Sequence, residues 1–382
     1  MDLLALNLRH LRAVTQVAAL GRIGAAAQSI NLSQPAVTQA LTKVEAAVGL
    51  SLFERRPDGM AGTAAADLLV PRIEAALHHI GNPRVTMSQM RALIALADAG
   101  SYVDGARNGG VTQPSLHRAI GDLSLAVGRP LVERRGRGIG LTAAGRRTVR
   151  AFRLARAELV AAASELAVLN GRETGRITIG AMPLSRARLL PAAATAFHRS
   201  HPQVEVRIVE GSHAELIEPL RDGEIDLLIG ALRAPVAGSD IDQRPLLVDR
   251  PVIIGRVGHP LAGRAGVTAD VLAEFDWTIA APGTPLRTLW QRMFDAAGVA
   301  APPVPIECGS VITIRQILLD SDFLTLLSPD QVAAELAAGW LVKISDTPGE
   351  LARTIGVTTR AGWRPTALQS AFLAALDAAA GK

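Results

Sequence analysis

The chain has 382 residues, about half of them apolar, and a formal net charge of +5. That length points to two to four domains, and the single cysteine, Cys308, excludes an intrachain disulfide or a cysteine metal cluster and fits a reducing cytosol. No apolar stretch is long enough to span a bilayer, and Asn7, Arg9, His10 and Arg12 interrupt the N-terminal apolar residues, so neither a membrane span nor a signal peptide is read and the expected location is cytoplasmic.

The charge is unevenly distributed. Residues 1–83 carry 7 basic and 6 acidic side chains, residues 84–170 carry 13 and 6, and residues 171–382 carry 20 and 23. A basic N-terminal half beside a mildly acidic C-terminal half implies a polyanion partner for one end only.

Residues 6–73 repeat at 85–152 with a constant offset of 79 and no gap. Gln34-Pro35 matches Gln113-Pro114, Glu54-Arg55-Arg56 matches Glu133-Arg134-Arg135, and Thr63-Ala64-Ala65 matches Thr142-Ala143-Ala144. Gly81-Asn82-Pro83 reads as the break between copies. In each copy an amphipathic helix (Leu8 to Ala19, Met87 to Ala99) ends at Gly21 or Gly100. A short second helix follows, Gly24 to Ile30 in copy one; in copy two Gly105, Gly109 and Gly110 weaken it. Ser33 and Thr112 then cap a third helix with Pro35 or Pro114 in its first turn. That helix has an apolar stripe, Val37, Leu41, Val44 and Val48 or Leu116, Ile120, Leu123 and Val127. Its other face carries Thr38, Gln39, Thr42 and Lys43, or His117, Arg118 and Asp122, groups able to read base edges or phosphates in a major groove. Arg55-Arg56 and Arg134-Arg135 precede glycine-containing turns that read as wings placed for phosphate contact. The run Gly136 to Gly140 lacks the strand-then-helix context of a dinucleotide loop and reads as a wing turn.

Ser33-Gln34-Pro35-Ala36-Val37-Thr38, Leu52-Phe53-Glu54-Arg55 and Leu141-Thr142-Ala143-Ala144-Gly145 resemble the winged helix-turn-helix of LysR-type regulators. The resemblance implies DNA contacts from Ser33, Gln34, Thr38, Gln39, Thr112, Gln113, His117 and Arg118, beside the wing residues Arg55, Arg56, Arg134 and Arg135. Copy one departs from the family pattern at Gly62-Thr63-Ala64-Ala65-Ala66 and copy two in its second helix. An alternative is therefore that one copy only packs or dimerises; if one copy leads, charge favours the second.

Thr142 to Leu169 contains no proline and reads as one long helix, which the resemblance makes a connector pairing two subunits of a homodimer or homotetramer. From Arg176 strands alternate with helices, predicting parallel α/β architecture. In this order the segments resemble a two-lobed effector domain similar to type 2 periplasmic binding proteins. Gly180 to Arg186, Pro282 to Arg287 and Thr359 to Pro365 most resemble the branch named for the galactose-binding-protein regulator. The expected fold class is mixed: two tandem all-α winged helix-turn-helix domains (1–80 and 84–141), a linker or dimerisation helix (142–170) and a two-lobed α/β effector domain (171–382). Lobe I takes about 171–248 and 346–382, lobe II about 249–345.

Ligands of open α/β sheets bind beyond strand C-termini. That selects Met182, Ser185, Ser212, Ala231, Thr284, Ser310 and Ser328 as effector contacts. Ser185 and Thr284 read as helix N-caps, and helix N-termini facing a cleft favour an anionic or polyhydroxyl effector, such as a small carboxylate or a sugar derivative. Arg186, Arg188 and Arg287 are possible helpers, although arginines in first turns are usually solvated. The scattered histidines, including the His78-His79 pair, lack metal-ligand spacing, and no nucleophile elbow or P-loop occurs. The expectation is a transcription regulator with no enzyme activity, cofactor or metal, whose partners are double-stranded DNA, a small-molecule effector and, as a further candidate, RNA polymerase. The alternatives are an α/β binding protein or enzyme with appended helical domains, and an architectural DNA binder that ignores effectors.

Overall fold

The computed structural model describes residues 2–136, 138–233, 240–349 and 351–381. The chain divides into two compact units, one running up to Gly175 and including Asp222–Glu224, the other made of Arg176–Arg221 and Ile225 onward.

In the first unit the same element order occurs twice. The first copy contains α1 (Leu8–Leu20), α2 (Ile23–Ser29), α3 (Gln34–Val48), a hairpin of β1 (Phe53–Arg56) and β2 (Gly59–Gly62), and α4 (Ala64–Ile80). The second contains α5 (Met87–Ala99), α6 (Tyr102–Asn108), α7 (Gln113–Val127), a hairpin of β3 (Val132–Arg135) and β4 (Gly138–Leu141), and α8 (Ala143–Leu169). The caps explain these bounds. Ser33 and Thr112 accept hydrogen bonds from the Ala36 and Ser115 N–H groups, and Gly49 and Gly128 end α3 and α7 in the left-handed conformation. The turn before each third helix also needs one left-handed residue, supplied by Asn31 (φ 54°) and Gly110 (φ 64°). Gly109 and Gly110 thus lie in the turn rather than inside the second helix, which corrects the sequence reading.

The predicted apolar stripes are buried, and one continuous apolar core runs through both copies. α4 packs along α8. Buried positions on α8 fall at Phe152, Ala155, Leu159, Ala162 and Leu166, the three-four spacing of a helix-pairing seam. Arg72 of α4, 5% exposed, lies on this contact and pairs with Glu158 (3.1 Å) and Glu165 (2.9 Å) of α8. The connecting helix expected to pair two subunits therefore packs against a helix of its own chain.

The second unit holds a five-stranded sheet and a smaller three-stranded one. Its elements are β5 (Gly175–Ala181), α9 (Leu189–Ser200), β6 (Val204–Glu210), α10 (His213–Arg221), β7 (Leu227–Ala231), β8 (Ile241–Asp249), β9 (Val252–Arg256), α11 (Ala269–Ala273), β10 (Thr278–Ile279), α12 (Pro285–Ala297), β11 (Ile306–Glu307), α13 (Val311–Leu319), β12 (Thr325–Leu327), α14 (Ala333–Ala337), β13 (Leu341–Asp346), β14 (Arg353–Arg360) and α15 (Ala367–Ala379). The large sheet has the order β6-β5-β7-β14-β8, and the smaller has the order β12-β9-β13. β5 runs parallel to β7, but β14 is antiparallel to both β7 and β8. The sheet is thus mixed rather than parallel, because β14 re-enters it after the β9–β13 region without a crossover helix. β10 and β11 form a short parallel pair, and Trp277, Trp290 and Phe294 pack edge-to-face in the core beside them.

Gly145, in the first turn of α8, lies so close to Leu131, the residue before β3, that a Cβ there would overlap the Leu131 carbonyl oxygen. Gly121, inside α7, faces open space. Gly145→Ala is expected to lower stability by about 1–3 kcal/mol through overpacking. Gly121→Ala is expected to raise it by up to about 1 kcal/mol. Chemical denaturation of the two variants checks both signs.

Candidate DNA interface and effector cleft

The third helix of each copy presents its polar face to solvent. Ser33, Gln34, Thr38, Gln39, Thr42 and Lys43 are exposed on α3 or at its start, and Thr112, Gln113, His117, Arg118 and Asp122 occupy the matching positions of α7. Some of these groups have intrachain partners. Ser33 and Thr112 cap their helices, and the Thr38 hydroxyl donates to the Gln34 carbonyl at 3.1 Å. His117 stacks on Tyr102, the only tyrosine, with ring centroids 3.5 Å apart. Tyr102 went unnoticed in the sequence because copy one has Ile23 there. The signal was that Ile23 and Thr38 of copy one both give way to aromatic rings, Tyr102 and His117, in copy two.

Arg55 and Arg56 on β1, and Arg134 and Arg135 on β3, are exposed on the two hairpins. Arg137, in the expected turn of the second wing, lies outside the described residues. The hairpins are anchored differently. In copy one the Met60 N–H donates to the Gly21 carbonyl at 2.7 Å, which ties the wing to the end of α1. Gly59 permits this approach, with φ at 147° and no room for a Cβ against that same carbonyl. In copy two the matching Gly138 is unconstrained, since a Cβ there would meet nothing nearer than the Arg135 carbonyl oxygen, 3.9 Å away. A cavity of about 630 Å³ also opens beside α5, α6 and α7. It is lined by Ala95, Gly109 and Val111, where copy one has the bulkier Gln16, Ile30 and Leu32.

In the second unit the C-terminal ends of β5, β6 and β7 come together. The Gly211 N–H donates to the Ala181 carbonyl (3.4 Å), and the Met182 N–H to the Ile229 carbonyl (3.0 Å). Met182 and Ala231 lie at this edge. Ser212 is exposed, and its N–H and hydroxyl both donate to Glu215, which holds that carboxyl below the usual range. Ser185 corrects the sequence reading. It sits inside a 3-10 turn, Pro183–Arg186, fully buried, with its hydroxyl donating to the Met182 carbonyl at 2.8 Å, because Pro183 starts the turn two residues earlier. Thr284 does cap α12, with Pro285 as its first residue, and Ser310 caps α13. Ser328 follows β12 and is buried in a capping box with Gln331.

Two contacts join the edges carrying these groups. Arg188 pairs with Asp330 at 3.0 Å, and the Arg233 Nη1 donates to the Gly283 carbonyl at 3.4 Å. Arg186 is committed elsewhere, to the Ala181 and Gly211 carbonyls and to Glu210. The buried Nε of Arg233 and the buried Nη1 of Arg287 have no hydrogen-bond partner, and the Arg287 guanidinium lies 4.6 Å over the Trp290 ring. Burial, then the charges of Arg233 and Arg221, push the His213 pKa below its ordinary value. The sequence reading missed Arg233; its signal was a lone cation two residues after β7, at a strand C-terminus. Among the described residues no group of three or more His, Cys, Asp or Glu could hold a metal, and no helix is long and apolar enough to cross a membrane.

Helix-turn-helix elements with exposed polar third helices, followed by an α/β unit with clustered strand ends, define a DNA-binding transcription regulator with an effector-binding domain. The family described as bacterial regulatory helix-turn-helix protein, lysR family, matches residues 8–67 and again 87–146, and the LysR substrate binding domain matches 170–381. The HTH-type transcriptional regulator GalR of Pseudomonas putida is 32% identical over 369 residues, covering 93% of each chain. The HTH-type transcriptional regulator PcaQ of Agrobacterium fabrum is 28% identical over 299 residues, 78% of this chain and 96% of PcaQ. The crystal structure of ArgP from Mycobacterium tuberculosis shares the fold, with a TM-score of 0.60 and 21% identity over 76% of this chain and 96% of that one. The chain belongs to the LysR family of transcription regulators.

Gly59→Ala should detach the first wing and lower the thermal midpoint, whereas Gly138→Ala should leave it unchanged. Scanning calorimetry of the two variants gives the comparison; equal effects would mean that the wings are anchored alike.

Proposed function

We propose that this regulator reads DNA with two tandem winged helix-turn-helix domains, residues 1–80 and 84–141. The helix at 142–170 connects them to an effector domain at 171–382 that closes on its ligand like a type 2 periplasmic binding protein. Its lobes are about 171–248 with 346–382, and about 249–345. The observation that carries this reading is the repeated order of elements, each with an exposed, hydrogen-bonding third helix. Coverage supports it. The alignment with GalR leaves 7% of 382 residues, about 27, unmatched, too few for either copy. The alignment with PcaQ leaves 22%, about 84, close to the repeat offset of 79.

On this reading Gln34, Thr38 and Gln39 of α3, and Gln113, His117 and Arg118 of α7, face base edges, while Ser33, Thr112, Arg55, Arg56, Arg134 and Arg135 hold phosphates. The protein works in the cytoplasm without catalysis, and its other surfaces are left for self-association as a homodimer or homotetramer and for RNA polymerase. Gln39→Ala and Arg118→Ala should each weaken sequence-specific binding about tenfold or more. Gel shifts over a salt series measure this; an Arg118→Ala protein with unchanged affinity and salt slope would remove the second copy from the interface.

The effector is anionic or polyhydroxyl, and Met182, Ser212, Ala231, Thr284, Ser310 and Ser328 surround it, while the buried Ser185 holds the Met182 carbonyl. The unpartnered N–H groups of Arg233 and Arg287, with the N-terminus of α12 capped by Thr284, favour a carboxylate. Arg233→Ala should weaken carboxylate binding at least about tenfold and leave DNA affinity without effector unchanged. Titration calorimetry with a panel of small carboxylates, sugar acids and neutral apolar compounds tests it, and binding by the apolar compounds alone would overturn it.

A further inference from the structure

Equivalent helices of the two copies, α4 and α8, pack against each other, and equivalent positions on them are buried. At the offset of 79, Ile73 matches Phe152, Ala76 matches Ala155 and Ile80 matches Leu159, and all six are buried. A contact that uses the same patch on both partners is isologous, the form taken by two-fold symmetric dimers. Here both partners belong to one chain. The pairing is also fixed in register. Burial disfavours the Arg72 charge, but hydrogen bonds and attraction from Glu165 and Glu158 outweigh it and hold the guanidinium pKa above its ordinary value. The junction between copies is bound on both sides. The Arg12 Nη1 of α1 donates to the Pro83 carbonyl at 2.6 Å, and the Asn82 Nδ2 donates to the Ala126 carbonyl of α7 at 2.7 Å. The copies therefore do not behave as beads on a flexible tether.

The two reading faces are not alike. Thr38, Gln39, Thr42 and Lys43 of α3 stand where α7 has His117, Arg118, Gly121 and Asp122. We infer that one chain is a complete reader of a bipartite DNA site, made of two inverted half-sites of unlike sequence at fixed separation. The inference rests on both copies binding DNA. A conventional two-fold dimer reads identical halves with two chains; an internal pseudo-dimer reads unlike halves with one. Because α4 covers the seam of α8, a second chain cannot pair through that seam, so each chain added to an assembly brings a further pair of half-sites.

The test is selection of binding sequences from a random pool with the full-length protein, followed by footprinting and by counting chains per protected site. Two unlike inverted half-sites per chain are expected, with Gln39→Ala altering preference in one half and Arg118→Ala in the other. Inserting about 5 bp, half a helical turn, between the halves should cost at least about tenfold in affinity for the unmodified protein. A symmetric palindrome occupied at one chain per half-site would overturn the inference, and so would tolerance of the insertion. No sequence-selective binding at all would instead defeat the reading of the copies as DNA-binding domains.

Discussion

Arg72 is the point on which the DNA-binding unit turns. Its side chain lies 6% exposed between α4 and α8, with Glu158 and Glu165 at 18% and 13%. A buried charge is tolerated only when its partners are in place, and removing one partner of such a group costs about 3–5 kcal/mol. Arg72 does not add much net stability over a well-packed apolar residue of its size. Its contribution is to allow one alignment of α4 on α8, and every element hung on those helices, both wings and both third helices included, takes its position from that alignment.

Within that frame the copies have diverged in ways that follow from packing. Copy one has the bulkier Gln16, Ile30 and Leu32 at the positions that line a cavity in copy two, and it ties its wing to Gly21. Copy two has Ala95, Gly109 and Val111, a cavity, and a wing without that tie, but it carries most of the basic excess of the N-terminal half. A tightly built copy with little net charge and a looser copy that is more basic as a whole suit division of labour better than duplication. Phosphate attraction acts at a distance and tolerates play, whereas hydrogen bonds to base edges need fixed donors and acceptors.

Much of this was legible in the sequence, because caps and apolar spacing are local signals. Ser33, Thr112, Thr284 and the stripes of α3 and α7 fall where the spacing puts them. β8 was not legible. Asp242, Gln243, Arg244 and Pro245 interrupt its apolar pattern, which is allowed because β8 is an edge strand with its register shift opposite Pro245. Ser185 was misread because Pro183 begins a turn before it. The α4–α8 pairing was hidden for another reason. An arginine on an amphipathic helix normally points to water, and only the seven-residue spacing of Glu158 and Glu165, which puts both on one face of α8, hinted at a shared cation.

The central claim, that one chain supplies both halves of this seam, can be tested by moving the charges. Arg72→Glu should strongly lower the thermal midpoint of the full-length protein. Adding Glu158→Arg and Glu165→Arg to the same chain should recover most of the loss, whereas co-expressing the Arg72→Glu chain with a separate chain carrying the two Glu→Arg changes should recover none. Recovery between separate chains would mean that α4 and α8 pair between subunits and would contradict the account.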